Sequence, residues 1–445
     1  MTVAPARKSV YRVLSLVAEQ DAYGNVALAT ELEKTGLSGR DAGLALEIVY
    51  GTLTWQRLID YWITELSSVK FDKLQWAVVV LLRMSLYQLR FLDRIPAHAV
   101  VSDAAELAKH HAPRAVGFIN AILRSAVRQN AYMQPLLTPD FEGLSRAEAG
   151  LRLSFSDFLV DHFCRALGEQ VAYQTMFALN QRVMRAVRVN QTRLSRDDLM
   201  QLLEAAGVEV TESPVSPYGI RIKAKMSITQ LKPYLDGLFT IQGESSMLIA
   251  PLLGDVRGKR VLDACSAPGG KTTQIAELAQ DLADITATDI HSHRVDLVKR
   301  QARRLGLKNI RVLSSDARDV EGVYDAVLLD APCSGLGTIA RKPDIKWAVN
   351  QERIAEVAGV QKDLLHHMAV KLQPGGVLLY STCTISPLEN ERQVQDFLAA
   401  HPDFQVEAVP ECINGLGHDI HGWIRILPQD FGGDGFFIAR MRKAW

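Results

Sequence analysis

Five short apolar runs between residues 260 and 381 constrain this chain most. Arg260–Ala264, Ile285–Ile290, Ile310–Ser314, Tyr324–Leu329 and Val377–Ser381 read as strands, and Lys271–Leu282, His293–Leu305 and Ile354–Leu372 carry helical periodicity between them. Strands alternating with helices of about 10–15 residues predict a parallel sheet covered on both faces. In such a sheet, ligands bind beyond the carboxyl ends of the strands. Three of those ends are acidic: Asp289 closes the second strand, Asp316 follows the third and Asp330 the fourth. A lone Asp there is usually a cap or turn residue. Three in register face one crevice and suit a ligand of the nucleoside type, while repelling one with several phosphates.

The first strand, Val261-Leu262-Asp263, runs into Ala264-Cys265-Ser266-Ala267-Pro268-Gly269-Gly270-Lys271. Small residues at every second position (Cys265, Ala267, Gly269) make a relaxed glycine fingerprint. They let the backbone approach a ligand, and Gly269–Gly270 allows the turn into the helix. An ordinary strand-to-helix turn can look the same. Gly270-Lys271-Thr272 with Val327-Leu328-Leu329-Asp330 also admits an NTPase, with a phosphate loop and a magnesium-holding acid. The phosphate loop's first glycine would fall where this chain has Cys265, and an NTPase has no use for Asp289. An acid about 20 residues beyond the glycine turn suits ribose hydroxyls instead.

Two cysteines follow the fourth and fifth strands, in Asp330-Ala331-Pro332-Cys333-Ser334-Gly335 and Tyr380-Ser381-Thr382-Cys383-Thr384. A cysteine is more often a small buried hydrophobe. These two are flanked by Ser, Thr, Pro and Gly and stand beside the acids, which favours a catalytic reading. Cys164 and Cys412 lack that context and are expected to be structural. Cysteines here suit base methylation. Carbon 5 of cytosine is a poor nucleophile; a thiolate added at carbon 6 makes the ring an enamine, and carbon 5 can then attack a methyl sulfonium. A base must afterwards remove the carbon 5 proton so that the thiol can leave, and such covalent catalysis divides one hard step into easier ones. Asp330 is placed to hold the base at ring N3 and the exocyclic amine, and Lys271 could lower a thiol pKa by its charge.

A chain of 445 residues, 48 % apolar, predicts two or three domains. Residues 1–137 read as an all-helical bundle, with Leu74–Phe91 and Val100–Ala108 at helical spacing. Residues 138–238 read as a small α+β module, with helix to about Arg185, strands at Ala186–Asn190, Val208–Glu212 and Gly219–Ile222, and a helix at Ser195–Ala206. Residues 239–445 form the α/β domain. No run of about 18 uncharged apolar residues predicts a membrane span. The basic pair near the start has no apolar stretch behind it, so no secretory signal is expected. Five scattered cysteines without a C-x-x-C pair suggest neither zinc nor disulfides. A cytoplasmic setting follows.

The net charge is zero, with +3 over residues 1–137 (15 basic, 12 acidic) and −3 over 239–445 (23 basic, 26 acidic). Any nucleic acid must bind through local patches. One candidate is Arg294, Lys299, Arg300, Arg303, Arg304, Lys308 and Arg311, which is also what a solvated helix face looks like.

At the motif level the chain resembles the RNA 5-methylcytosine methyltransferase family. The matching residues are Leu262 through Thr272, Leu329-Asp330-Ala331-Pro332-Cys333-Ser334-Gly335-Leu336-Gly337, Arg341-Lys342-Pro343-Asp344-Ile345-Lys346-Trp347, and Tyr380-Ser381-Thr382-Cys383-Thr384-Ile385 with Glu389-Asn390-Glu391. The resemblance implies a Rossmann-like domain using S-adenosylmethionine. Loop residues Cys265, Ser266, Ala267, Pro268, Gly269, Gly270 and Lys271 would hold the methionine part, Asp289 the ribose, Asp316 the adenine side, and Asp330 would be shared with the cytosine. It implies Cys383 as nucleophile and Cys333 as the residue that helps release product; no metal is expected, from the cysteine pattern. The order also distinguishes RNA from DNA enzymes, whose nucleophile is the cysteine of the Pro-Cys element. The N-terminal half resembles the helical RNA-binding domain of NusB, through Leu82–Leu89, Asp93–His98 and Gly117–Arg124. That domain joined to this catalytic domain resembles the ribosomal RNA small subunit methyltransferase B group. This implies a cytosine of 16S ribosomal RNA as the target, in the small subunit or its assembly precursor; the chain itself is expected to be a monomer. A transfer-RNA or other ribosomal cytosine methyltransferase, and an antitermination-type adaptor with an inactive methyltransferase fold, are the alternatives. All the chemistry-bearing residues are present, which disfavours the adaptor. The chain departs from the family at Ala348-Val349, where an arginine pair is usual, and at Gln242-Gly243-Glu244-Ser245-Ser246.

Overall fold

Residues 3–20, 23–129, 133–224, 227–408 and 418–445 are described by the computed structural model. They fall into two units, one of residues 1–180 with 339–349, the other of 181–338 with 350–445. Cys412 lies outside the described residues.

The first unit is helical. Its centre is the helix Trp76–Phe91, in which every residue from Val78 to Gln88 is buried, the pattern of a helix enclosed by its neighbours. The Arg83 guanidinium inside that core is matched by Asp60 at 2.7 Å. The single helical stretch expected up to Arg185 is three helices, Arg146–Arg152, Asp157–Leu167 and Glu169–Leu179. Ser156 caps the second by accepting from Leu159 N, and Gly168 at φ +78° separates it from the third.

Residues 339–349 belong to this helical unit although the chain around them does not. Lys346 is completely buried there. Its Nζ donates to Thr54 O (3.0 Å), Ser154 O (3.2 Å) and Asn180 Oδ1 (2.5 Å) and lies 3.8 Å from the centre of the Phe155 ring. Trp347 Nε1 donates to Leu53 O at 2.8 Å. Burial pulls the Lys346 ammonium well below its ordinary pKa.

The second unit begins with strands β1 (Arg185–Val189), β2 (Glu209–Glu212), β3 (Gly219–Lys223) and β4 (Phe239–Ile241). They form an antiparallel sheet in the order β2-β3-β1-β4. The larger sheet holds β5 (Arg260–Asp263), β6 (Asp284–Asp289), β7 (Ile310–Ser314), β8 (Tyr324–Asp330), β9 (Leu372–Thr382), β10 (Phe404–Val406), β11 (His418–Ile420), β12 (Trp423–Ile426) and β13 (Phe436–Lys443). Strands β5 to β9 run parallel. The sheet is mixed, because β13 joins β9 antiparallel and carries β12 and β10, with β11 beyond β12. The order β9-β8-β5-β6-β7 reverses direction at β5, the switch point at which such sheets open a crevice.

Candidate active site

The crevice beyond β5 holds a cavity of about 230 Å³. The loop from Cys265 to Lys271 forms one wall, Ile241–Gly243 with Ser246 another, and Asp263 and Asp330 also line it. The loop is fixed from behind. Ser266 N and Oγ both donate to Thr288 O. Gly269 sits at φ +101°, and a Cβ there would lie 3.2 Å from Val298 Cα, so both conformation and space require glycine. Gly270 has an ordinary φ and opens the helix Gly270–Leu278.

The other wall is tied to this helix through the small module. Arg188 on β1 is 1 % exposed. It pairs with Glu277 at 2.8 Å, donates to Gly270 O at 2.7 Å and Thr273 Oγ1 at 3.1 Å, and also bonds Gln242 Oε1. Gln242 in turn bonds Ser246 and Gln274. Gln242 and Ser246 stand in sequence only as a departure from a familiar pattern; their place beside the loop comes from β4, which the sequence did not signal as part of a site.

The acids divide into two kinds. Asp263 Oδ2 accepts from Thr272 Oγ1 at 2.6 Å, while Oδ1 is buried without a hydrogen-bond partner among the described residues. Burial pushes its carboxyl up to about 7, against the Thr272 hydrogen bond. Burial also raises the Cys265 thiol, helped by the charges of Asp263 and Asp330, which leaves it a neutral wall residue. Asp289 and Asp316 lie outside the lining of the cavity. Asp289 accepts from His291 N and pairs with Arg294 at 3.1 Å. Asp316 pairs with Arg318 at 2.6 Å, and that hydrogen bond holds its carboxyl below the usual range. Of the basic set that runs from the helix Ser292–Leu305 into β7, Arg294 is thus engaged. Arg304 is too, bonded to Tyr234 O, Phe239 O and Thr240 Oγ1. Lys299, Arg300, Arg303, Lys308 and Arg311 are exposed.

At the far side of the cavity Lys271 Nζ meets Asp330 Oδ2 at 2.7 Å, and Ser381 Oγ donates to Asp330 Oδ1 at 2.8 Å. Burial works against the Lys271 ammonium, but Asp330, together with Cys383, outweighs it and holds the lysine charged. Phe436 of β13 lies beneath that ammonium, 5.3 Å away.

Parallel pairing sets Asp330 opposite Ser381, and so the loops that leave β8 and β9 run side by side. The sulfurs of Cys333 and Cys383 lie 3.3 Å apart. Their hydrogen bond, followed by burial, raises the Cys333 thiol well above its ordinary pKa, so Cys333 keeps a proton that it can offer to Cys383. The site thus unites a small-walled cavity, an ion pair and a thiol pair, the components needed to bind a small cofactor and attack a carbon beside it. Cys164 is buried in the helical unit, and burial raises its pKa. No group of His, Cys, Asp and Glu among the described residues is arranged to hold a metal ion, and no helix among them is long and apolar enough to cross a membrane.

Comparison with known proteins finds three family models along the chain: the NusB family over residues 4–128, an RsmF/B-like ferredoxin-like domain over 155–229, and the 16S rRNA methyltransferase RsmB/F over 250–442. The chain is 34 % identical to the probable ribosomal RNA small subunit methyltransferase B of Bacillus subtilis, over 100 % of both chains. It is also 33 % identical to the ribosomal RNA small subunit methyltransferase B of Pseudomonas putida, over 98 % of each. Among solved structures, a methyltransferase homolog protein from Pyrococcus horikoshii is 30 % identical, with a TM-score of 0.59 over 67 % of this chain and 100 % of that one. NSun6 from the same organism, solved with the ligand SFG, is 25 % identical, with a TM-score of 0.60 over 65 % of this chain and 99 % of that one.

Proposed function

We propose that this chain, which belongs to the RsmB/F family of 16S rRNA methyltransferases, methylates carbon 5 of a cytosine in 16S ribosomal RNA through a covalent bond from Cys383 to carbon 6. The observation that carries this reading is the pair of sulfurs 3.3 Å apart beside the Lys271–Asp330 ion pair. The cofactor would be S-adenosylmethionine. The fit rests on the cavity itself: small residues line the loop, and the buried Asp263 Oδ1 lacks a partner that a cofactor ammonium would supply. When bound, S-adenosylmethionine supplies an electrophilic methyl group on a sulfonium.

The chain's own residues do the rest. Asp330, steadied by Lys271 and Ser381, would accept from the cytosine's exocyclic amine and, once N3 takes up a proton, from N3–H. The Cys383 thiolate adds to carbon 6, and the electron pair it displaces makes carbon 5 nucleophilic. After methyl transfer, carbon 5 carries an extra proton. Cys333 holds its own proton tightly chiefly through its hydrogen bond with Cys383. Once that sulfur is bonded to carbon, the hold relaxes, Cys333 gives its proton to solvent, and the thiolate left behind can serve as the base. Removing the carbon 5 proton returns its electrons to the ring, and the carbon–sulfur bond breaks. The turnover thus ends as it began, with the proton on Cys333 and Cys383 free to attack again.

The NusB-like unit would place the ribosomal RNA, in the small subunit or its precursor, and the protein would act as a cytoplasmic monomer. Bisulfite mapping of 16S rRNA from a strain lacking the gene, complemented with wild type or Cys383→Ala, tests the reading. One cytosine should lose its mark and regain it only with the wild type. A mark restored by Cys383→Ala removes the proposal.

A further inference from the structure

The Glu389-Asn390-Glu391 element lies beyond both cysteine loops in sequence, and the mechanism above gives it no task. Its first residue is fully buried. Glu389 Oε1 accepts from Ser334 N at 2.7 Å and from Gln361 Nε2 at 3.3 Å. Glu389 Oε2 accepts from Ser334 Oγ at 2.6 Å and from Thr384 Oγ1 at 3.3 Å. Ser334 follows Cys333 and Thr384 follows Cys383, so one carboxylate holds the residue after each sulfur. Thr384 Oγ1 also lies 2.7 Å from Ser334 Oγ, so its single proton is shared between that oxygen and Glu389 Oε2.

The neighbours complete the frame. Gln361 Nε2 donates to Pro332 O at 2.8 Å, which fixes the residue before Cys333. Asn390 Oδ1 accepts from Thr382 Oγ1 at 2.5 Å and Asn390 Nδ2 donates to Thr384 O at 3.0 Å, which fixes both sides of Cys383. Burial raises the Glu389 pKa, and its hydrogen bonds from Ser334 oppose that rise. A buried carboxylate is retained at a cost unless its acceptors are satisfied. Here four neutral donors converge on it from the two loops and from the helix Gln351–Val370.

We propose that Glu389 is a positioning residue for the thiol pair: it locks the Cys333 and Cys383 loops into one register, so that a single cytosine can meet both sulfurs in turn. This rests on the cysteine mechanism proposed above. Misplacing reacting groups by about 1 Å can cost about a hundredfold in rate, whereas the cofactor cavity, built on the loop 265–271, does not touch this frame.

The test is single-turnover methylation by the full-length protein, with cofactor affinity measured by calorimetry. Covalent adduct is measured separately with RNA carrying 5-fluorocytosine, from which the base cannot remove a proton. Glu389→Leu should slow methylation and adduct formation by about a hundredfold while cofactor affinity stays within about twofold. Glu389→Gln should recover most of the rate, because its carbonyl still accepts from Ser334 N and the two hydroxyls can turn to accept from its amide. Should Glu389→Leu not fold, Ser334→Ala decides, with an expected loss of about tenfold and unchanged cofactor affinity. Wild-type rates in Glu389→Leu or Ser334→Ala, or a rate loss matched by an equal loss of cofactor affinity, overturn the proposal. Wild type and Cys383→Ala run alongside. If wild type forms no adduct, the cysteine mechanism fails; if it does and the Glu389 variants match it, only the positioning role fails.

Discussion

The sulfurs of Cys333 and Cys383 stand 3.3 Å apart because β8 and β9 pair in parallel with Asp330 opposite Ser381. The hydrogen bond with Cys383, followed by burial, raises the Cys333 thiol well above its ordinary pKa.

Unequal roles for the two thiols give opposite phenotypes. Cys383→Ala should abolish methylation and any covalent RNA adduct. Cys333→Ala should still form the adduct and fail to resolve it, leaving a protein–RNA complex that survives denaturing electrophoresis and needs added cofactor for full yield. The assignment is falsified if Cys383→Ala traps RNA and Cys333→Ala does not.

Asp263 should make cofactor binding depend on pH. Its pKa is raised to about 7, and a cofactor ammonium beside it favours the ionised form, so binding should release a proton. Affinity should therefore rise between about pH 6 and 7.5, below the range near 8 where an α-amino group loses its own proton. Calorimetry in buffers of different ionisation enthalpy reads the proton directly, and Asp263→Asn should remove the slope. The same shift acts on stability with the opposite trend. The folded state holds this proton more tightly than the unfolded chain, so Asp263 contributes stability at acidic pH that is lost as pH rises from about 4 to 7.

Gly269 and Gly270 should behave differently under the same substitution. Gly269→Ala places a Cβ at φ +101° and 3.2 Å from Val298 Cα, which should cost at least about 1–2 kcal/mol of stability. At Gly270 the nearest atom to a new Cβ is Gln242 Cδ at 3.7 Å, so Gly270→Ala should unfold close to wild type. Equal denaturant midpoints for the two variants would contradict the account of the loop.

Lys346 predicts a stability gradient at alkaline pH. Burial lowers its folded pKa below the ordinary lysine value, so the unfolded chain binds more protons in the window between the two. Stability should therefore rise with pH up to about 10.4, the unfolded lysine value. Lys346→Met should flatten that rise. A slope unchanged by the substitution would show that the folded protein does not perturb this lysine.

The parallel strands and the small-residue turn after β5 were legible because each rests on local pattern: apolar runs, helical spacing, small residues at a turn. The three strand-end acids do not share one crevice, since Asp289 and Asp316 pair with Arg294 and Arg318 outside the cavity lining. The two cysteine loops were legible from their flanking residues. What stayed hidden depends on contacts between distant segments. Phe436 reaches Lys271 only because β13 adds itself to β9, and strands of three or four residues such as β10 to β12 carry too few residues for a periodicity. Asp263 reads as part of a loop pattern, and only its burial and unpartnered oxygen distinguish it. Glu389 was visible as a letter in a motif, but its task appears only when Ser334 and Thr384 converge on it.

The placement of residues 339–349 bears on how freely the two halves could be exchanged between proteins. The chain crosses from one unit to the other at 180, again at 338 and once more at 349. A gene cut after residue 180 therefore does not release a self-contained enzyme. The downstream piece would carry Lys346 and Trp347 without Thr54, Ser154, Asn180 and Leu53, the residues that receive their hydrogen bonds. Any recombination that supplied a different helical partner would have to bring a matching eleven-residue loop into the middle of the catalytic gene segment, so the two units are constrained to be inherited together.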